Sequence, residues 1–223
     1  MKLEPGRKPK HTPAPRAYRQ TARAATSKAR EAEILAVFQK LLSENWADDV
    51  TLAAVAEGAG VTQQTVIRKF GGKEGLLRAL AEKVKSEVLL RRTVAPGALA
   101  DAIAVLVEDY EIVGNLVMRL LAQEARDPML TRFLEVGRRA HRKWIAQVFA
   151  PALALRPEPE RALILDGLVV ASDLYVWKLL RRDFGYAPAH VGKVMQSLAA
   201  GVLSGAPASR TMGKISSSTG SAS

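Results

Sequence analysis

Residues 51–70, TLAAVAEGAGVTQQTVIRKF, decide the fold. Thr51 is a good N-cap for a helix over Leu52–Gly58, because its hydroxyl can accept from the orphan N–H groups of the first turn. Thr62 can do the same for Gln63–Phe70. Between them Gly58-Ala59-Gly60 interrupts the pattern, and Gly60 can supply the positive φ of a sharp turn. Two short helices crossing at a glycine turn are the layout of a helix-turn-helix. Leu52, Val55, Ala56, Ala59, Val61, Val66 and Phe70 predict a small shared core, with Ala56 keeping the crossing close. The outer face of the second helix carries Gln63, Gln64, Thr65, Arg68 and Lys69, next to Thr62. Amides, hydroxyls and cations are the groups that read base edges and grip phosphates in a DNA major groove. A solvated helical face has the same composition, so the motif alone leaves both readings open.

Outward from this stretch the chain reads as helices. From Ser27 the period is helical, with Ile34, Val37, Phe38, Leu41 and Leu42 on one face, until Asn45-Trp46-Ala47-Asp48-Asp49 breaks it. Gly71-Gly72 ends the second short helix, and a longer one runs from Lys73 to about Leu90, ahead of Pro96-Gly97. Apolar-periodic stretches follow at about 98–113, 115–126, 128–149, 159–183 and 188–204, with Gly and Pro mainly between them. No strand alternation and no internal repeat stands out. The expected class is all-α, with an N-terminal helix-turn-helix DNA-binding domain over 27–84 and a larger helical domain over 85–205, whose ligand-binding and dimerisation role is implied only by the family resemblance given below. A disordered basic arm, 1–26, precedes them, and a disordered Ser/Gly/Thr-rich tail, 206–223, either native or a cloning remnant, follows.

Charge supports a polyanionic partner. The 223 residues carry a formal net charge of +11, and a hydrophobic share of 48% is enough for a sizeable core. Residues 1–30 hold nine Lys/Arg against the single acid Glu4, so +8 of the +11 sits at one end. Nucleic acid and an anionic membrane surface both fit. The arm lacks bulky apolar anchors, which argues against the membrane, and Arg23, Lys28 and Arg30 become candidate DNA contacts. The absence of cysteine excludes disulfides, thiolate metal ligands and thiol catalysis, and agrees with a reducing cytoplasm. The start lacks the apolar core of a secretory signal, although its composition overlaps that of a mitochondrial transit peptide. No stretch approaches ~18 consecutive apolar residues, so no membrane span is expected. His11, His141 and His190 are scattered, with His141 expected on a solvated face, and no phosphate loop, nucleophile elbow or acid/base constellation is visible. No catalytic residue, metal or cofactor is therefore expected, and the chain reads as a cytoplasmic binding protein rather than an enzyme.

Residues 28–84 resemble the DNA-binding domain of the TetR (tetracycline repressor) family. The likeness lies in Ile34-Leu-Ala-Val-Phe-Gln-Lys-Leu-Leu42, Thr51-Leu-Ala-Ala-Val-Ala-Glu-Gly-Ala-Gly-Val61, Thr65-Val-Ile-Arg-Lys-Phe70 and Gly72-Lys73-Glu74-Gly75-Leu76-Leu77, in that order and spacing. The resemblance implies that Gln63, Gln64, Thr65 and Arg68 lie in the major groove. It implies that Lys73 grips a phosphate at the start of the fourth helix, whose free N–H groups also favour an anion. It also implies that Thr51 caps the second helix and faces phosphate. Ile67 stands where the family usually has an aromatic, and Lys69 where Tyr or His is frequent. A tyrosine contact to phosphate is thus missing at Ile67, and Lys69 is expected to replace some of it by charge. Asn45-Trp46 departs from the family's usual Gly-aromatic pair. The basic arm is an elaboration, expected to follow the backbone or enter the minor groove.

The same resemblance implies that the later helices bind a ligand and dimerise, the last two long ones pairing with symmetry mates in a four-helix bundle. Val169, Val170, Leu174, Val194, Leu198 and Val202 are candidate interface residues, and each suits the monomer core equally well. Tyr110, Met118, Leu121, Phe133, Trp144, Val148, Asp173, Tyr175 and Trp177 are candidate pocket residues, with core filling the alternative for each. Asp166, Val170, Asp173 and Trp177 share one face of an unbroken 159–183 helix, an arrangement that would suit a cationic ligand. Pairing of the acids with Arg or water is the alternative. The expected function is a sequence-specific, ligand-responsive regulator, a repressor acting as a homodimer on an inverted-repeat operator in double-stranded DNA, with a small-molecule effector of unread identity. The alternative is a helical small-molecule or partner-binding protein with a vestigial DNA-binding domain.

Overall fold

The computed structural model describes residues 16–205, which are helical apart from turns and loops, with no strand among them. The expected tail, 206–223, and the first part of the arm lie outside the described residues. The chain divides into two compact units, one ending at Leu80 and one beginning at Ala81. That division falls inside a helix, a turn before the expected one at 84.

In the first unit, α1 spans Arg16–Glu44, whereas Ser27 was the expected start and residues up to 26 the expected disordered arm. The correction has a local cause. Residues 16–26 are mostly Ala, Arg and Gln beside Tyr18, Thr21 and Thr26, with no Gly or Pro after Pro15, and such residues favour helix even without a face to bury. Ile34, Leu35, Phe38 and Leu42 of α1 are buried. They pack on α2, Leu52–Gly58, and the approach is close at Gly58, where a Cβ would stand 2.7 Å from a Val37 methyl. α3 spans Gln63–Phe70 and ends on Gly71, left-handed at φ 78°. α4, Lys73–Arg91, begins against that end. A Cβ on Gly75 would sit 1.5 Å from the Phe70 carbonyl oxygen, so only glycine fits there.

The second unit contains the rest of α4 and α5 Leu99–Leu121, α6 Pro128–Val148, α7 Ala150–Ala154, α8 Glu160–Ala171, α9 Leu174–Lys178 and α10 Pro188–Ser204. One π-helical turn, Leu179–Asp183, extends α9. The core joins Leu106, Ile145, Leu168, Trp177, Val191 and Met195 from five of these helices. Gly114 was expected to separate two helices, yet α5 runs through it. Its missing side chain makes room for the Trp177 ring, which a Cβ would meet at 2.6 Å. The expected continuous 159–183 helix is instead broken at Ser172. Asp173 there turns extended, and its carboxylate accepts the Tyr175 N–H at 2.8 Å to start α9. No helix of the described residues is long and apolar enough to cross a membrane.

Candidate functional site

The first unit presents α3 as a separate, doubly capped helix. Thr62 Oγ1 accepts the Thr65 N–H at 3.2 Å and lies 2.9 Å from the Thr65 hydroxyl. Thr51 does the same for Ala54 N–H at 3.1 Å on α2. Each hydroxyl satisfies a first-turn donor that would otherwise need water. Val66 turns inward with no exposure, while Gln63, Gln64, Ile67 and Arg68 are exposed and Thr65 is half-buried. Two amides and a guanidinium thus project from a short helix whose ends are held.

The two lysines flanking this face are engaged within the unit. Lys69 Nζ lies 2.7 Å from Glu31 Oε1 and 2.8 Å from Ser27 Oγ, both on α1. Ser27 in turn donates to Glu31 at 3.2 Å. The Lys69 hydrogen bond and charge hold the Glu31 carboxyl below its usual range against a partial desolvation. Lys69, expected to replace some of a missing phosphate contact by charge, is matched by Glu31 in the free chain. Lys73 is half-buried and donates to the Ala47 carbonyl, which leaves other N–H donors on a three-donor ammonium. Lys28 and Arg30 are exposed on α1, and Arg23 lies outside the residues whose side chains are described.

The second unit encloses a cavity of about 180 Å³ between the α4 end, α5, α6 and the α8–α9 junction. Tyr110, Leu121, Phe133, Trp144, Asp173 and Tyr175 line it, whereas Met118, Val148 and Trp177 belong to the packed core. Most of the wall is apolar, but one end is not. Arg92, 7% exposed, donates from Nε at 3.0 Å and Nη2 at 2.7 Å to Asp109 Oδ2. Asp109 has no exposure and also takes Arg91 at 2.6 Å through Oδ1. Arg92 Nη1 lies 3.3 Å from His141 Nδ1, and His141 Nε2 lies 3.2 Å from the Ser172 hydroxyl. The guanidinium sits over the Tyr110 and Trp144 rings, 5.2 and 5.4 Å from their centroids. Burial, reinforced by the Arg92 charge, pushes His141 down to about 4 against a hydrogen bond to the Val169 backbone. His141 is thus a neutral member of a buried network and not the solvated residue expected.

Comparison with known proteins gives the family. Residues 34–80 match the model of bacterial regulatory proteins of the tetR family. An uncharacterized HTH-type transcriptional regulator of Mycobacterium tuberculosis is 31% identical over 151 residues, covering 62% of this chain and 70% of that protein. The counterpart in Mycobacterium bovis matches equally. The chain belongs to the tetR family. Among solved structures, Salmonella enterica GusR superposes with a TM-score of 0.63 at 14% identity, covering 78% of this chain and 95% of that one. A TetR-family regulator from Rhodococcus sp. gives 0.62 at 14%, covering 79% and 100%.

As a tetR-family member the chain is a helix-turn-helix, DNA-binding transcriptional regulator. In this tetR-family fold the six candidate interface residues separate. Leu174 is buried, Val169, Val194 and Val202 pack partly against the core, and Val170 and Leu198 are 65% and 46% exposed. Val202 is held by the α8–α10 crossing, where a Cβ on Gly167 would approach its methyl to 2.9 Å. The face predicted for a cationic ligand does not form. Asp166 is exposed and paired with Arg142 at 2.5 Å, while Trp177 is fully buried, donates to Glu111 at 2.9 Å and lies under Arg182. Sequence reasoning missed Arg92, Asp109 and His141. A signal existed: Asp109 falls between Leu106 and Tyr110 on the apolar stripe of α5, where a carboxylate needs a buried partner.

Proposed function

We propose that the chain is a ligand-responsive repressor that works in the cytoplasm as a homodimer on an inverted-repeat operator and carries no catalytic activity of its own. The observation that supports this best is the row Gln63, Gln64 and Arg68, exposed on a capped α3 whose inner face is fully packed. Glutamine pairs bidentately with adenine and arginine with guanine, so this row reads bases, while Thr51, Thr62, Thr65, Lys73, Lys28 and Arg30 fit phosphates. A single helix-turn-helix reads few bases, and a two-fold partner doubles both contact and specificity. Leu163 and Val170 on α8 and Leu198 on α10 are exposed apolar residues suited to such a partner. The cavity is the effector site of this reading. Its wall includes Val84, Val88 and Leu89 of α4, the helix that begins at Lys73, so an occupant favouring one α4 position shifts a pre-existing equilibrium.

The test is selection of bound duplexes from a random pool with the full chain. Enrichment of an inverted repeat that disappears in Gln64→Ala and Arg68→Ala is expected. A vestigial DNA-binding domain is the second reading, favoured by the neutralised Lys69 and by Ile67. It predicts no enrichment from folded, dimeric protein, with or without a metabolite extract.

A further inference from the structure

The polar end of the cavity has an unequal balance of charge. Asp109 is the shared carboxylate of two guanidiniums. The Arg91 side chain is 30% exposed and also lies 4.0 Å from Glu87, which Lys83 reaches at 3.2 Å. The Arg92 side chain is 6% exposed and shares its one carboxylate, although burying a cation normally demands full pairing. The donors of neighbouring polar groups are turned to other partners. Tyr110 OH donates to the Ser172 carbonyl at 3.0 Å while its oxygen faces Arg92, Trp144 Nε1 donates to the Arg92 carbonyl at 2.8 Å, and the Ser172 hydroxyl donates to the Leu168 carbonyl at 2.7 Å. His141 takes an Arg92 N–H through Nδ1, and its low pKa keeps it neutral there. A guanidinium has five N–H donors, and Asp109 and His141 occupy some of them. Among the described residues Asp109, shared with Arg91, is the one carboxylate that accepts from Arg92.

The other cations named on the wall, Arg138 and Lys85, are already matched. Arg138 pairs with Glu124 at 2.5 Å and Lys85 with Glu82 at 3.0 Å. Asp173 is the wall's acid, and one of its oxygens is taken by the cap of α9. Away from Arg92 the wall is Val88, Val113, Val117, Leu121, Phe133 and Leu134.

We propose that this cavity binds a small amphipathic monocarboxylate, its carboxylate on the Arg92 guanidinium and its hydrocarbon along the α5–α6 wall. The proposal rests on the ligand-responsive reading above and names the chemical class of the effector. Charge-assisted, fork-shaped recognition of a carboxylate by arginine is stronger than its neutral counterpart, and the hydrocarbon gains by leaving water. An ammonium in the same place would face a like charge.

The experiment uses the full chain, the neutral dye Nile red as cavity reporter, and three probes of equal chain length: octanoate, octanol and octylamine. Octanoate is expected to displace the dye at least about tenfold more tightly than either analogue, a difference of about 1.4 kcal/mol. Arg92→Lys should shrink that preference, and Leu121→Trp should exclude the dye without changing the helical content. Octanol or octylamine displacing the dye as well as octanoate overturns the proposal, as does failure of octanoate and of longer decanoate to displace it. Binding to the selected duplex, measured in parallel, separates the two readings. Octanoate that binds without altering DNA affinity upholds the ligand class and defeats ligand responsiveness. An amine or alcohol that releases DNA does the reverse.

Discussion

At the level of single residues, His141 offers a clean pH test because its surroundings are known on each side. Arg92, Ser172 and the Val169 backbone face it, and burial with the Arg92 charge pushes it down to about 4 from 6.5. Between those values the unfolded chain binds a proton that the folded chain refuses. Its contribution to stability is therefore complete above 6.5 and lost as the pH falls toward 4. Urea unfolding at neutral pH and at pH about 4.5 should show a loss in the native chain that His141→Gln reduces by roughly 1–3 kcal/mol. Lys69 sets a second residue-scale expectation. Because its ammonium is bound to Glu31 and Ser27, Lys69→Met should lower the stability of the first unit by about 1 kcal/mol. The salt slope of DNA binding should stay unchanged, unlike that of Lys28→Ala/Arg30→Ala, which should flatten by about 2 if both meet phosphates. A salt titration of each variant on one duplex separates these outcomes.

At the level of elements, the junctions between helices are the rigid points. Gly75 permits α4 to start against the Phe70 carbonyl, and a methyl there meets backbone that cannot rotate away. Gly75→Ala should destabilise the first unit by about 1–3 kcal/mol or more, read from its denaturant midpoint, and weaken DNA binding with it. The same logic at Gly114 concerns a side chain, since a methyl meets the Trp177 ring that α5 was built to admit. Gly114→Ala should lower the melting temperature and redden the tryptophan emission as Trp177 is pushed from its fully buried site. An unchanged spectrum would show that α5 can move aside.

For the whole molecule, the proposed pairing of two copies through α8 and α10 would bury Val170 and Leu198, which are exposed in the single chain. A charge at either position costs little in the monomer, where both side chains already face solvent, but is buried without a partner in a dimer. Leu198→Glu should therefore yield monomer by sedimentation and lose operator affinity by about a hundredfold or more, with unchanged helical content. A dimer that survives both Leu198→Glu and Val170→Glu would place the interface elsewhere.

Much of the DNA-binding unit was legible in the chain itself, because its determinants are local. Thr51 and Thr62 cap the next turn, Gly60 and Gly71 take the positive φ of turns beside them, and Val55 and Val66 fall inward by helical period. The start of α1 at Arg16 was local too, yet went unread because a helix without an apolar face leaves no periodic mark. The second unit depended on which faces meet. Gly114 looks like a breaker until Trp177 fills its place, and Ser172-Asp173 looks like helix until the capping geometry appears. Lys69 reads as a surface cation until α1 brings Glu31 beside it. The amino-acid sequence by itself determined helices, caps and an exposed row of amides and a guanidinium, since these rest on neighbours within a few residues. Only the tertiary structure decided where Arg92, Asp109 and His141 meet, because they come from the turn after α4, from α5 and from α6 and share a site through long-range packing alone.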